Sequence, residues 1–235
     1  MFWFFYDYWY IVLVMPAVIF SIIASISVNS TFKKYSKKRS SRGITGAEAA
    51  RRVLDANGLY SVKVERVRGD LTDHYDPRNN TIYLSESVHD SPSTAAIGVA
   101  AHEAGHAVQH AKEYLPIKIR AAIIPITNFA SSLSLPLILL GLVLEGSGLL
   151  ILAYIGVACF GMSTVFQLVT LPTEFNASRR AINALEGYGI LSRDELGDAK
   201  KVLSAAAMTY VAALAVSLMQ LLRLLLIVSG NNRRR

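Results

Sequence analysis

Cysteine is almost absent from this chain of 235 residues; Cys159 stands alone. A disulfide within one molecule is thereby excluded, and so is a metal site built on thiolates. Histidine and carboxylates are the ligands left. Acidic residues are also few, 17 against 24 lysines and arginines, and the long apolar stretches nearly lack them. That scarcity argues against a transporter, whose ion path needs carboxylates within the membrane. No pair of broken helices supports one either, although Pro125 and Pro136 can kink one apolar run. Internal repeats and long low-complexity tracts are missing too.

Hydrophobicity is what the chain has in quantity. Apolar residues make up 52% of it and gather in four runs, near 8–28, 121–144, 147–171 and 205–228. Each is long enough to cross a bilayer, which makes this an integral membrane protein. The first run opens on Phe2, Trp3, Phe4, Phe5, Tyr6, Tyr8, Trp9 and Tyr10 and has no basic residue before it. An interfacial aromatic belt on an uncleaved anchor over 1–28 fits this better than a signal peptide. Glu145-Gly146-Ser147-Gly148 is a tight turn that makes the second and third runs a transmembrane hairpin over 121–171.

The net charge of +7 is explained by where it sits. Lys33, Lys34, Lys37, Lys38, Arg39 and Arg42 form a basic juxtamembrane segment, 29–42, directly after the anchor. This matches the positive-inside rule and contact with the anionic lipid of the bilayer. No nucleic-acid motif accompanies it, so nucleic acid is not an expected partner.

Residues 43–116 read as a small α/β unit. Thr45 and Glu48 make a capping box for a helix whose apolar side is Ala49, Ala50, Val53 and Leu54, and Asn57-Gly58 stops it. Val62, Val64 and Val67 mark a strand. Asp76-Pro77-Arg78-Asn79-Asn80 is a turn before a second strand, Thr81–Ser85. That strand has two readings: a free edge on which an extended substrate can pair, or a member of an ordinary hairpin. Ser91 as cap and Pro92 in the first helical position open the next helix, which is rich in alanine and closes at Leu115-Pro116.

On that helix lies His102-Glu103-Ala104-Gly105-His106. Residues four apart share a helix face and sit about 6 Å apart along the axis, so both imidazoles can meet one metal ion. Glu103, about 100° around the helix, stands beside the ion, where its carboxylate can take a proton from water that the metal acidifies.

A catalytic zinc has three protein ligands and one open position. His110 fails as the third, because it lies about 12 Å along the axis from His102. Position 112, where a longer histidine motif would place its third ligand, is Lys112. His74 and His89 lie upstream in expected loops, as ligands or transition-state donors without a supporting motif. Glu174 follows the third run, in what reads as the first turn of a helix opening at Pro172. Taken alone it is an acid complementing a helix dipole. The hairpin, however, returns the chain to the side it left, so Glu174 can meet the histidine pair at the membrane surface. Lys118, Arg120, Arg179 and Arg180 flank the hairpin and assign that side to the cytoplasm. Glu174 is therefore the expected third ligand, with His74 or His89 in reserve.

With these pieces the chain resembles the bacterial membrane-bound neutral zinc metallopeptidases, the second zinc-dependent peptidase family. The resemblance runs through the N-terminal anchor, Asp73-His74-Tyr75-Asp76-Pro77, the segment Ala101–Ala107 around the histidine pair, and Pro172-Thr173-Glu174-Phe175-Asn176-Ala177-Ser178. More distantly it is similar to the heat-shock membrane protease and CAAX prenyl protease group, whose third zinc ligand is the Glu of an E-x-x-A-D sequence. That Glu falls on Glu174 and the alanine on Ala177, while the aspartate, which orients a metal-bound histidine, is replaced by Ser178. Asn176 or Ser178 is then the expected weaker substitute, and Asp73 or Asp76 a further one.

The resulting expectation is a mainly α integral membrane protein with about four transmembrane helices and a small cytoplasmic α/β unit of zincin (gluzincin) type. A helix over 172–204 carries the third ligand, and 205–228 forms the fourth membrane segment. One Zn²⁺ per chain is held by His102, His106 and Glu174, with Glu103 as general base in an endopeptidase acting on peptides or membrane proteins. Arg179, Arg180 and His74 are candidate oxyanion donors. The alternative is a non-catalytic membrane adaptor whose zinc is structural.

Overall fold

The computed structural model describes residues 7–232. The expected aromatic belt at Phe2–Tyr6 and the terminal Arg233–Arg235 lie outside the described residues. The chain is mainly helical, with a small sheet. Among the described residues, four helices are long and apolar enough to cross a membrane: Tyr10–Tyr35, Leu115–Val143, Ile151–Gly187 and Arg193–Gly230.

The chain divides into two compact units. One comprises the N-terminal stretch to Ala24, Ile119–Leu171 and the chain from Thr209. It contains parts of α1 (Met15–Tyr35), α5 (Leu115–Val143), α6 (Ile151–Gly187) and α7 (Arg193–Asn232). Its core is Ile138, Leu150, Ala153, Val157, Leu224 and Val228. Gly156 lets α6 approach α5 closely, since a Cβ there would stand 2.7 Å from the Ser134 carbonyl oxygen. Hydroxyl pairs join its helices, Ser131 with Ser163 at 2.7 Å and Thr164 with Ser217 at 2.8 Å. In an apolar setting such groups must find protein partners.

The other unit comprises Ser25–Lys118 and Pro172–Met208. α2 (Gly46–Ala56) begins with the expected capping box, Thr45 Oγ1 accepting from the Glu48 amide at 3.2 Å and Glu48 accepting from the Thr45 amide at 3.0 Å. It ends where Gly58 takes a positive φ of 74°. Three short strands follow, β1 (Lys63–Val67), β2 (His74–Asp76) and β3 (Thr81–Ser85). Their order is β1-β3-β2, with β1 parallel and β2 antiparallel to β3. This decides between the two readings of the second strand in favour of the hairpin, and it corrects the loop placement of two histidines. β3 is the central strand, bonded on both sides, so it offers no free edge; Ile82 and Leu84 are fully buried. His74, expected in a loop, lies in β2, and His89 ends the short helix α3 (Glu86–His89).

α4 (Thr94–Ala111) is capped by Ser93, whose Oγ accepts from the Ala96 amide at 3.2 Å, not by Ser91. Ser91 instead donates to Ser93 Oγ at 3.0 Å, and Pro92 precedes the cap. The fully buried Ala95, Ala96, Ala100, Ala101 and Ala104 give α4 a slim surface on which neighbours pack closely. A left-handed Glu113, φ 54°, separates it from α5.

Several helix boundaries also differ from expectation: α4 closes at Ala111 and Leu115 opens α5, and the expected helix over 172–204 is divided between α6, which ends at Gly187, and α7, which starts at Arg193. α1 runs on to Tyr35 with Lys33 and Lys34 in its last turn, where cations favour the negative end of the helix dipole. α6 does not begin at Pro172; it is one helix of 37 residues with Pro172 inside it. Proline there forfeits a single hydrogen bond, to the carbonyl four residues back, and the packed helix on either side carries through. Glu174 therefore sits in a helix interior, and a role as N-terminal dipole partner is ruled out.

Candidate metal centre

Two helices of the second unit build the site. α4 presents His102 and His106 from one face, their ring centroids 4.7 Å apart and nearly perpendicular. α6 presents Glu174, which is 3% exposed. The close approach of the two helices depends on Gly105, because a Cβ there would meet the Ala177 carbonyl oxygen at 2.8 Å. The motif's second variable residue is thus a packing residue.

Glu174 Oε2 lies 3.3 Å from His102 Nε2 and 3.6 Å from His106 Nε2. One ligand atom from each of the three residues falls within 4.8 Å of the others, the one group of this kind among the described residues. The two distances to Glu174 suit zinc: ligand bonds of about 2.1 Å at tetrahedral angles put donor atoms about 3.4 Å apart. His74, His89 and His110 do not belong to the group. His74 Nδ1 is 2.8 Å from the Thr72 carbonyl and its ring stacks on Tyr83. His89 pairs with Asp90 at 2.7 Å, and the His110 ring lies edge-on to Tyr75.

The far side of each imidazole is also engaged. Ser178 Oγ lies 3.1 Å from His102 Nδ1, and Gln109 Oε1 lies 3.0 Å from His106 Nδ1. Asn176 reaches the site through Gln109, whose Nε2 donates to Asn176 Oδ1 at 3.0 Å, and Arg180 Nε donates to the same oxygen at 2.7 Å. Arg179 is exposed and lines a cavity between α6 and α7 with Ser178, Ile182 and Lys200. Of the residues in this network, Gln109 was not among the sequence candidates. Its signal was faint: a glutamine three residues past a histidine on a helix, within reach of it.

Burial disfavours the His106 imidazolium, but the Glu174 carboxylate 3.6 Å away and the charge of Glu103 outweigh it and hold His106 above its ordinary value. Glu103 is 8% exposed. Its carboxylate has no hydrogen bond or ion pair among the described residues, so its lone pairs are free to take a proton. Asp73 and Asp76 do not touch the histidines. Asp73 accepts from the Ser85 amide at 2.8 Å and from its hydroxyl, and Asp76 accepts from Arg78. Burial pushes the Asp73 carboxyl up, against the Ser85 hydrogen bonds, and the charge of Glu103 adds to the rise.

Residues 10–229 match the family described as "Putative neutral zinc metallopeptidase". The chain belongs to that family. It is also 50% identical over 218 residues to the "Putative membrane protease YugP" of Bacillus subtilis (strain 168), covering 93% of this chain and 96% of that relative. No solved structure matches the chain. The metallopeptidase family, the membrane protease relative and the four apolar helices agree with a membrane-bound zinc protease read from the sequence.

Proposed function

We propose that this protein is a membrane-anchored zinc endopeptidase of gluzincin type. The observation that carries the reading is the convergence of His102, His106 and Glu174 on one point, with the Glu103 carboxylate near enough for its charge to act on His106. A zinc ion held by these three residues would supply Lewis acidity, making a water more acidic and a peptide carbonyl more electrophilic. Glu103 removes the proton from the attacking water and delivers it to the leaving amine, so the carboxylate is regenerated in each cycle. Arg180, whose guanidinium is anchored on Asn176, together with Arg179 and His74, is a candidate donor to the oxyanion.

We further assign one zinc per chain, a cytoplasmic active site, and peptides or membrane proteins as substrates. The basic segments flanking the membrane runs support that orientation. The test is to purify the protein in detergent, measure zinc, and compare casein or fluorogenic-peptide cleavage with Glu103→Gln. The variant retains zinc and loses cleavage. Equal cleavage sinks the mechanism, and zinc-loaded wild-type protein that cleaves nothing returns the chain to an adaptor with a structural metal. Glu174→Ala is expected to lower zinc content; unchanged zinc reopens the third position.

A further inference from the structure

Gln109 is completely buried between α4 and α6, and the orientation of its side chain is chemically forced. Its Nε2 lies 2.8 Å from the Thr173 backbone carbonyl oxygen. A carbonyl can only accept, so the end of the amide facing it must be the NH₂ group. The same NH₂ donates to Asn176 Oδ1 at 3.0 Å. Asn176 Oδ1 is itself identified as an oxygen by a second donor, Arg180 Nε at 2.7 Å. Both contacts leave the Gln109 carbonyl oxygen, not the NH₂, facing His106 Nδ1 at 3.0 Å.

An oxygen with no proton to give requires Nδ1 of His106 to be the donor. We propose that Gln109 is a positioning residue of the metal centre: it holds His106 in the Nδ1–H form, so that the lone pair of the neutral ring lies on Nε2, the atom 3.6 Å from Glu174. The same amide ties His106 to the Thr173 carbonyl, one residue before Glu174, so one side chain orients a ligand from α4 and registers it against the ligand from α6. Metal-bound histidines commonly give their second N–H to a carboxylate, carbonyl or water. Here a side-chain amide serves, and its own donors fix which way it points. The inference rests on the metal-centre reading above, but its first readout needs neither metal nor catalysis.

The experiment uses the full chain, labelled with ¹⁵N-histidine, in detergent and stripped of metal. The His106 signals are assigned by their loss in His106→Ala, and the ring is observed at a pH above its titration. The expected spectrum has a protonated Nδ1 and an unprotonated Nε2. A protonated Nε2 in the wild-type protein overturns the proposal, whatever any variant does. Gln109→Met, close in volume but without either polar group, is expected to shift His106 towards the Nε2–H form and to weaken zinc binding by about 10- to 100-fold in competition with a chelator. If Gln109→Met folds and keeps both the wild-type tautomer and zinc affinity within about 2-fold, the proposal also fails. If it does not fold, the wild-type spectrum alone decides. Absence of proteolysis with the Nδ1–H form intact defeats the protease reading and leaves the role of Gln109 standing.

Discussion

Ser178 Oγ lies 3.1 Å from His102 Nδ1, while Nε2 of the same ring faces Glu174. With a metal ion on Nε2, the hydroxyl would accept the Nδ1 proton and hold the ring turned towards the site. A hydroxyl accepts more weakly than a carboxylate would at this position. Ser178→Ala is expected to lower zinc affinity about 10-fold and Ser178→Asp to raise it, because a carboxylate makes the opposite nitrogen more basic. A chelator competition series on the three proteins measures this; equal affinities refute a role for Ser178.

Gly105 is expected to be as sensitive as the residues around it. A methyl group there would press on the Ala177 carbonyl at 2.8 Å, and backbone cannot swing aside as a flexible side chain does. Gly105→Ala must push α4 from α6, at a cost of about 1–3 kcal/mol. Because the ligands sit on those two helices, zinc affinity falls together with the melting temperature. A loss of stability with zinc affinity unchanged would show that the helices separate elsewhere.

The sequence made some of this legible and hid the rest for definite reasons. The histidine pair declares itself by spacing, and its helix by alanine content. Glu174 could be linked to it only through the expected membrane hairpin, and its local setting was misread: Pro172 looks like a helix start, yet α6 runs through it. Local rules see the lost hydrogen bond but not the packing that sustains the helix on both sides. The central position of β3 was hidden similarly, since its second partner β2 is only three residues long and too short to show a pattern. Gln109 escaped because its role depends on Thr173 and Asn176, more than sixty positions away.

The metal-free protein should lose stability as pH rises. His106 has a folded-state pKa above its ordinary value of 6.5, so the folded protein binds that proton more tightly than the unfolded chain does. Its contribution is complete below 6.5 and disappears as pH climbs through the raised folded value. Zinc reverses the trend, since the metal and the proton compete for Nε2 and affinity grows with pH. Melting temperatures of chelated and zinc-loaded protein, measured upward from about pH 6, should therefore diverge. Parallel curves, or the same slope in chelated His106→Gln, would contradict the assignment.

Arg223 is a buried cation in the membrane-spanning unit. It is 2% exposed, yet it belongs to the apolar stretch of α7. Its Nη2 and Nε lie 2.8 and 3.1 Å from Asp7 Oδ2, and its guanidinium sits 5.3 Å from the centre of the Tyr10 ring. A buried cation is tolerable only with such partners. Asp7→Ala removes the carboxylate and leaves the charge, which is expected to destabilise the protein by about 3–5 kcal/mol. Removing both charges in Asp7→Leu with Arg223→Leu relieves the desolvation penalty as well as the attraction, so the double variant should melt above Asp7→Ala and close to wild type. Thermal melting in detergent separates these cases. A double variant no more stable than Asp7→Ala would mean that Arg223 serves the fold through contacts other than its pair with Asp7.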